Sequence, residues 1–259
     1  MEIFQAIILG LVEGISEFLP ISSTGHLILV SRILAIAQTE FVKSFEIIIQ
    51  LGAILAVVFL YRQRLTKDIE GWKRILVAFI PTGILGLIFY KIVKNYLLGN
   101  SMVVIISLFV GGLLMIGIEK WFKSKETTKN FSKLSYKNAF IIGIGQSIAM
   151  VPGVSRSAAT IITGMFLGMD RVSAAEFSFL LAVPTMAAAT GLDLLKSNWS
   201  FSSQEYLILA IGFVGAFVSA LVTVKYFISY VSKHTFIGFG IYRIVAAVIF
   251  ALISQRFLD

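Results

Sequence analysis

The chain has 259 residues, 58% of them hydrophobic and only 14% charged, with a mean hydropathy of +0.91 and a formal net charge of +8. This composition excludes an ordinary soluble domain, because the apolar runs are too long and too many for a water-soluble core. Cysteine is absent, which excludes a disulfide framework, a cysteine-ligated zinc site and a cysteine nucleophile.

Taken in chain order, the N-terminus carries no basic region, and Glu13 and Glu17 interrupt the first apolar run, so a cleaved signal peptide is not expected. Apolar stretches 3–19 and 27–37 flank Pro20-Ile-Ser-Ser-Thr-Gly25, and stretches 139–151 and 158–169 flank Pro152-Gly153. A stretch of about 11 to 14 residues gives a helix of about 16 to 21 Å, short of the ~30 Å hydrocarbon core of a bilayer. Both regions therefore read as re-entrant helix-turn-helix hairpins, whose non-helical turns must be buried in protein or line a wet cavity. Six longer runs, 45–61, 75–92, 102–118, 174–194, 206–226 and 236–253, each approach the length of a transmembrane helix.

The predicted fold is an all-α polytopic membrane protein with six transmembrane helices plus two re-entrant hairpins. It is a single integral domain over residues 1–259. Helix, Ser-rich turn, short helix and a span opening with an acidic residue (Glu46, then Glu176) recur after roughly 130 residues, which predicts inverted repeats at about 1–125 and 136–259. Loops 62–74, 120–137 and 225–233 then share one face with 13 Lys and Arg, against six on the other: Arg32, Lys43, Lys91, Lys94, Lys196 and Arg256. The positive-inside rule makes the first face cytoplasmic and both termini extracytoplasmic. Basic loops account for the net charge, so no nucleic-acid partner is expected.

The two turns concentrate the chemistry. Ionisable groups at membrane depth cost roughly 2.5 to 3.5 kcal/mol each, so Glu13, Glu17, His26 and Arg156 should share a polar site. Glu13 and Glu17 lie four apart on one helix face, where they can hold a divalent cation, Mg²⁺ or Ca²⁺, or act as base and tuner. Ser22, Ser23 and Thr24 begin a helix and are candidate caps; His26, one turn on, has the spacing to reach a hydroxyl. Gly153, Ser155, Arg156, Ser157 and Thr160 gather free N–H groups, hydroxyls and a guanidinium at a helix N-terminus, an arrangement suited to phosphate. Glu46, Gln50, Glu176 and Arg243 read as supporting or helix-pairing groups. Together these residues suggest hydrolysis of a phosphoester or phosphoanhydride in a membrane.

Glu13-Gly-x-x-Glu17-Phe-Leu-Pro-x-Ser-Ser-Thr-Gly-His26 and Pro152-Gly-x-Ser-Arg-Ser-x-x-Thr160 closely resemble the two signature motifs of the undecaprenyl-diphosphate phosphatase, or bacitracin-resistance, family. The likeness extends over the chain in length, motif order and apolar layout. It implies dephosphorylation of a polyprenyl diphosphate lipid, undecaprenyl diphosphate, in the bacterial plasma membrane, recycling the carrier for cell-wall synthesis. Further, it implies that Glu13 and Glu17 are catalytic carboxylates holding a divalent cation, Ser23 and His26 nucleophile and acid/base candidates, and Ser155, Arg156 and Thr160 diphosphate-binding residues. Ala158 stands where many members have Gly.

The phosphatidic-acid phosphatase pattern Arg-x5-His fails, because Ile162 occupies the histidine position. A polyprenyl-phosphate flippase or ion-coupled transporter is the rival reading, since inverted hairpins are transporter architecture. A homo-oligomer and the nature of the attacking group, Ser23 or water, are left open by the sequence. The charge asymmetry itself yields a test: cysteines placed at Thr128 and Asp259 should be labelled from opposite sides of the membrane, and labelling of both from one side contradicts the six-span, two-hairpin layout.

Overall fold

In the computed structural model all residues are described except 94–96, 98–99, 122–128, 197–200 and 257–259. Thr128 and Asp259 lie outside the described residues, as does Lys94. Among the described residues eleven α-helices follow in order: α1 (Ile3–Ser16), α2 (Ser23–Ile33), α3 (Glu40–Leu60), α4 (Arg62–Lys67), α5 (Ile69–Ile92), α6 (Ser101–Trp121), α7 (Tyr136–Ser147), α8 (Arg156–Phe166), α9 (Arg171–Lys196), α10 (Ser203–Val231) and α11 (Ile237–Arg256). Six of them, α3, α5, α6, α9, α10 and α11, are long and apolar enough to cross a membrane, matching the six predicted runs. The protein is thus a multi-pass membrane protein.

Helix starts are set by local chemistry. α3 begins five residues before its predicted apolar run because the Thr39 hydroxyl accepts the Val42 N–H at 3.3 Å. Ser202 and Glu205 form a reciprocal capping box on α10. The short helices α2 and α8 begin at Ser23 and Arg156, within the two serine-rich turns where the sequence places helix starts. Their caps, Ser22 (φ 74°) and Ser155 (φ 68°), adopt left-handed backbone and accept the N–H of Gly25 and Ala158, at 3.4 and 3.2 Å. Each of these helices has 11 residues.

Both motif regions fold back on themselves. Gln5 near the start of α1 donates to the carbonyl of Leu34 just past α2 at 3.2 Å, so the first hairpin ends where it began. That mouth lies at the beginning of α6, where Arg32 donates to Ser101 at 2.6 Å. The second hairpin has its mouth at the other end of α6, where Phe166 of α8 packs against Trp121 with ring centroids 5.2 Å apart. The hairpins therefore enter from opposite ends of α6 and meet by their turns. There Ser157 donates to the Phe18 carbonyl at 2.8 Å, binding one turn to the other.

Around the hairpins, α1 packs on α10, α7 on α5, α3 on α10 and α9, and α6 on α11. Close approach requires glycine at two matching places. A Cβ on Gly10 of α1 would lie 2.5 Å from the Gly212 carbonyl oxygen of α10, and one on Gly143 of α7 would lie 2.0 Å from that of Ala78 on α5. At the end of α6 away from the first hairpin's mouth, Glu119 takes both nitrogens of a fork from Arg171, at 2.8 and 2.7 Å, and also accepts the Phe236 N–H at 3.0 Å.

Candidate active site

The two turns bring Glu17, Ser23 and Arg156 into one chain of contacts. Ser23 in the first turn of α2 donates its hydroxyl proton to Glu17 Oε2. Arg156, at the start of α8, donates from Nη2 to Glu17 Oε1 at 3.3 Å and from Nη1 to the Ser178 carbonyl of α9 at 2.8 Å. Glu17 thus holds a hydroxyl with one oxygen and a guanidinium with the other. All three side chains are largely buried.

One turn earlier on α1, Glu13 is fully buried and within electrostatic range of Glu17, Glu46 and Arg156. Among the described residues neither oxygen of its carboxylate has a hydrogen-bond donor. An ionised carboxylate cannot persist in that state, so the position requires either a proton or a cation. No group of three or more acidic, histidine or cysteine side chains suited to a metal occurs among the described residues. A cation here would therefore draw on two carboxylates and on oxygens brought by a ligand, the way Mg²⁺ is bound with substrate phosphates.

His26 sits differently from the sequence expectation. Its Nδ1 is 2.7 Å from the Ser22 carbonyl, which can only accept, so Nδ1 carries the proton and Nε2 accepts from the Tyr242 hydroxyl at 2.6 Å. The Tyr242 and His26 rings also stack, 8° from parallel. The imidazole is engaged with α11, and the hydroxyl of Ser23 pairs with a carboxylate instead. Helix spacing places His26 near Ser23 along α2, but the tertiary partner on each side wins.

Several predicted phosphate ligands have structural engagements. Ser22 and Ser155 serve as caps. Ser157 secures the turn-to-turn contact, and Thr160 is buried with its hydroxyl 2.7 Å from that of Ser178 and 2.9 Å from the Arg156 carbonyl. Thr24 is half-buried in the first turn of α2. Gly153 (φ 89°) must be glycine on two counts, since a Cβ there would also lie 2.7 Å from the Val104 carbonyl oxygen. Glu46 and Gln50 are half-buried on one face of α3, Glu46 near Glu13. Glu176 is removed from this group: it pairs with Arg64 of α4.

Arg243 of α11 has a larger part than helix pairing. It is fully buried and directs all five N–H groups at backbone carbonyls. Nη1 reaches Pro20 (3.1 Å) and Val154 (3.0 Å), Nη2 reaches Gly153 and Ser107 (both 3.0 Å), and Nε reaches Leu108 at 3.4 Å. One guanidinium thus binds both turns and α6. No ion pair among the described residues includes it. Arg243, Tyr242 and Ser178 lie outside both motifs; the one sequence signal was a charged residue inside an apolar span.

The fold and this site define a polytopic membrane protein whose ionisable groups meet at the junction of two opposed hairpins. The family model described as bacitracin resistance protein BacA matches residues 6–249. The chain is 55% identical to a protein of Aquifex aeolicus named undecaprenyl-diphosphatase, over 96% of this chain and 97% of that one. It is 55% identical to one of Persephonella marina with the same name, over 97% and 99%, and 49% identical to one of Campylobacter jejuni, over 96% and 94%. The chain belongs to the BacA bacitracin resistance family.

Replacing Arg243 by Lys keeps the charge and surrenders the fork. A buried lysine has three donors for five carbonyls, each lost contact being worth about 1.5 to 3 kcal/mol. Arg243→Lys should lower the thermal unfolding midpoint in detergent and leave Arg156→Lys, which frees none of these carbonyls, closer to the parent. An unchanged midpoint would mean that the turns hold together without the guanidinium.

Proposed function

We propose that the chain hydrolyses undecaprenyl diphosphate to undecaprenyl phosphate and inorganic phosphate, which recycles the lipid carrier for cell-wall synthesis and confers bacitracin resistance. The observation that carries the reading is the Ser23–Glu17–Arg156 chain, which joins a nucleophile, a base and an anion-binding fork across two turns. Near full-length likeness to proteins named for this activity supports it.

In this mechanism the terminal phosphate binds at the start of α8, against Arg156 and the N–H groups of the helix N-terminus. Ser23 Oγ attacks the terminal phosphorus while Glu17 Oε2 takes its proton. The bond from phosphorus to the bridging oxygen breaks, and undecaprenyl phosphate leaves with the electron pair. Glu17 passes the serine proton to the departing undecaprenyl phosphate and, ionised again, takes a proton from the water that attacks phosphoserine and returns it to Ser23 Oγ as inorganic phosphate departs. His26, with Nε2 turned to Tyr242, orients the α2 turn through Ser22 and is not the base for Ser23.

A divalent cation fits the unpartnered Glu13 carboxylate with Glu17, and would supply charge neutralisation for the diphosphate. Arg156 and Arg243 bring two positive charges and the two glutamates two negative ones, so a diphosphate needs further positive charge. We further read residues 1–125 and 136–259 as inverted repeats. Gly10, Glu13 and Ser22 match Gly143, Gln146 and Ser155 at one spacing, 133 residues, and the paired glycines and left-handed serine caps recur with them. The bacterial plasma membrane, with both termini extracytoplasmic, is the location that the basic loops favour.

Purified protein in detergent should release phosphate from undecaprenyl diphosphate. Ser23→Ala should reduce release to background while retaining binding of the lipid, and substantial residual turnover would favour direct attack by water. Exhaustive chelation should silence the wild type and added Mg²⁺ or Ca²⁺ restore it; full activity in chelator would remove the metal. Lipid translocation without any phosphate release would favour the transporter reading.

A further inference from the structure

Gln146, in the last turn of α7, is 1% exposed and held by two threonines. Thr82 of α5 donates its hydroxyl proton to the Gly143 carbonyl at 3.0 Å, and Thr185 of α9 donates its own to that of Leu181 at 2.8 Å. Both hydroxyls are left with acceptor lone pairs alone, and they accept from Gln146 Nε2 at 2.8 and 3.1 Å. A carboxylate here would face those lone pairs, so the position demands an amide, and in one orientation. Gln146 Oε1 is turned away from the threonines and has no partner among the described residues.

Arg156 is incomplete on one edge. In a guanidinium, Nε and Nη2 carry parallel N–H bonds, the edge with which Arg171 grips Glu119. On Arg156 the Nη2 of that edge donates to Glu17 Oε1, whereas the buried Nε has no partner among the described residues. An acceptor placed at Nε therefore lies next to Glu17 Oε1, the oxygen that Ser23 does not use.

The same helix supports both side chains. Arg156 Nη1 rests on the Ser178 carbonyl of α9, and the Gln146 amide is tied through Thr185 to the Leu181 carbonyl, three residues on and adjacent on the helix surface. Gln146 and Arg156 also line one cavity, which has room for a water beside them. A buried acceptor, a buried donor and a general base thus converge on one place.

We propose that Gln146 Oε1, Arg156 Nε and Glu17 Oε1 hold the water that hydrolyses phosphoserine. The inference rests on the Ser23 phosphoenzyme reading and assigns its second step. The water accepts from Arg156 Nε and donates one proton to Gln146 and the other to Glu17, three partners being usual for a buried water. As its oxygen bonds to phosphorus, the proton facing Glu17 moves to the carboxylate. The P–Oγ bond breaks with its electron pair on Ser23, and the carboxyl group returns that proton to Oγ. The proton facing Gln146 stays with the product phosphate, because an amide oxygen is too weak a base to take it. Gln146 aims the water, and the two oxygens of Glu17 work in turn, Oε2 on Ser23 and Oε1 on water.

Gln146→Leu removes the acceptor and slows only the second step. It should lower kcat about tenfold or more, while kcat/KM, which ends at the first bond broken, stays near the parent value. Rapid quenching should show one undecaprenyl phosphate released per enzyme in a burst, with ³²P from the terminal phosphate accumulating as phosphoserine. Thr185→Val, which frees the amide to turn, should move kcat the same way by less and also spare kcat/KM. An unchanged kcat in Gln146→Leu, or kcat and kcat/KM falling together without a burst, would overturn the assignment. If Ser23→Ala keeps its turnover, the phosphoenzyme reading has failed, and the water site is then judged by a density map that resolves waters. The map should place one within hydrogen-bond distance of Gln146 Oε1, Arg156 Nε and Glu17 Oε1 in the wild type; no density there contradicts the site whatever the activity.

Discussion

The Arg243 guanidinium bonds to both hairpin turns and to α6 at once. Short helices that stop inside a membrane protein expose carbonyls that no helical neighbour satisfies, and each orphan costs free energy in a dry environment. Arg243 meets three of them, Pro20 in one turn and Gly153 and Val154 in the other, and donates as well to the Ser107 and Leu108 carbonyls within α6. A peptide plane whose carbonyl is held on one side presents its N–H on the other, so the Val154 contact also aims the Ser155 N–H. A charge buried without a carboxylate is expensive, and its retention makes sense where it both satisfies the turns and adds positive potential to an anion site.

On that platform Glu17 is the junction of the chemistry. It is bound to Ser23 on its own hairpin and to Arg156 on the other, so nucleophile and phosphate fork keep their relative places through one carboxylate. Ser157 to Phe18 and Thr160 to Ser178 hold the fork's helix in register from behind. These hydroxyls are rigid supports and Glu13 is the group left wanting a partner. Rigid support matters because misplacement of a reacting group by about 1 Å costs on the order of a hundredfold in rate.

Much of this was legible in the sequence, for physical reasons that also set the limit. The spans announce themselves by length, and the hairpins by runs too short to cross around Pro20 and Pro152. Glu13, Glu17 and Arg156 stand out because ionisable groups are costly in such runs. What the sequence cannot carry is tertiary choice of partner. Spacing on α2 suggested Ser23 with His26, yet each found a nearer partner, Glu17 and Tyr242. Ser157 and Thr160 fit a phosphate cradle by spacing and turned out to face Phe18 and Ser178. Glu176 found Arg64, 112 residues away, and Arg243 reached Pro20 across 223. The left-handed backbone of the Ser22 and Ser155 caps is a state that serine does not advertise.

The central claim is that Ser23, with Glu17 as its base, is the group that attacks phosphorus. Undecaprenyl diphosphate labelled with ³²P in the terminal phosphate, mixed with enzyme and quenched in acid within a single turnover, tests it most directly. The account predicts label recovered as phosphoserine on the peptide containing Ser23, and none on His26. Complete conversion to labelled inorganic phosphate with no labelled protein at any quench time would contradict it.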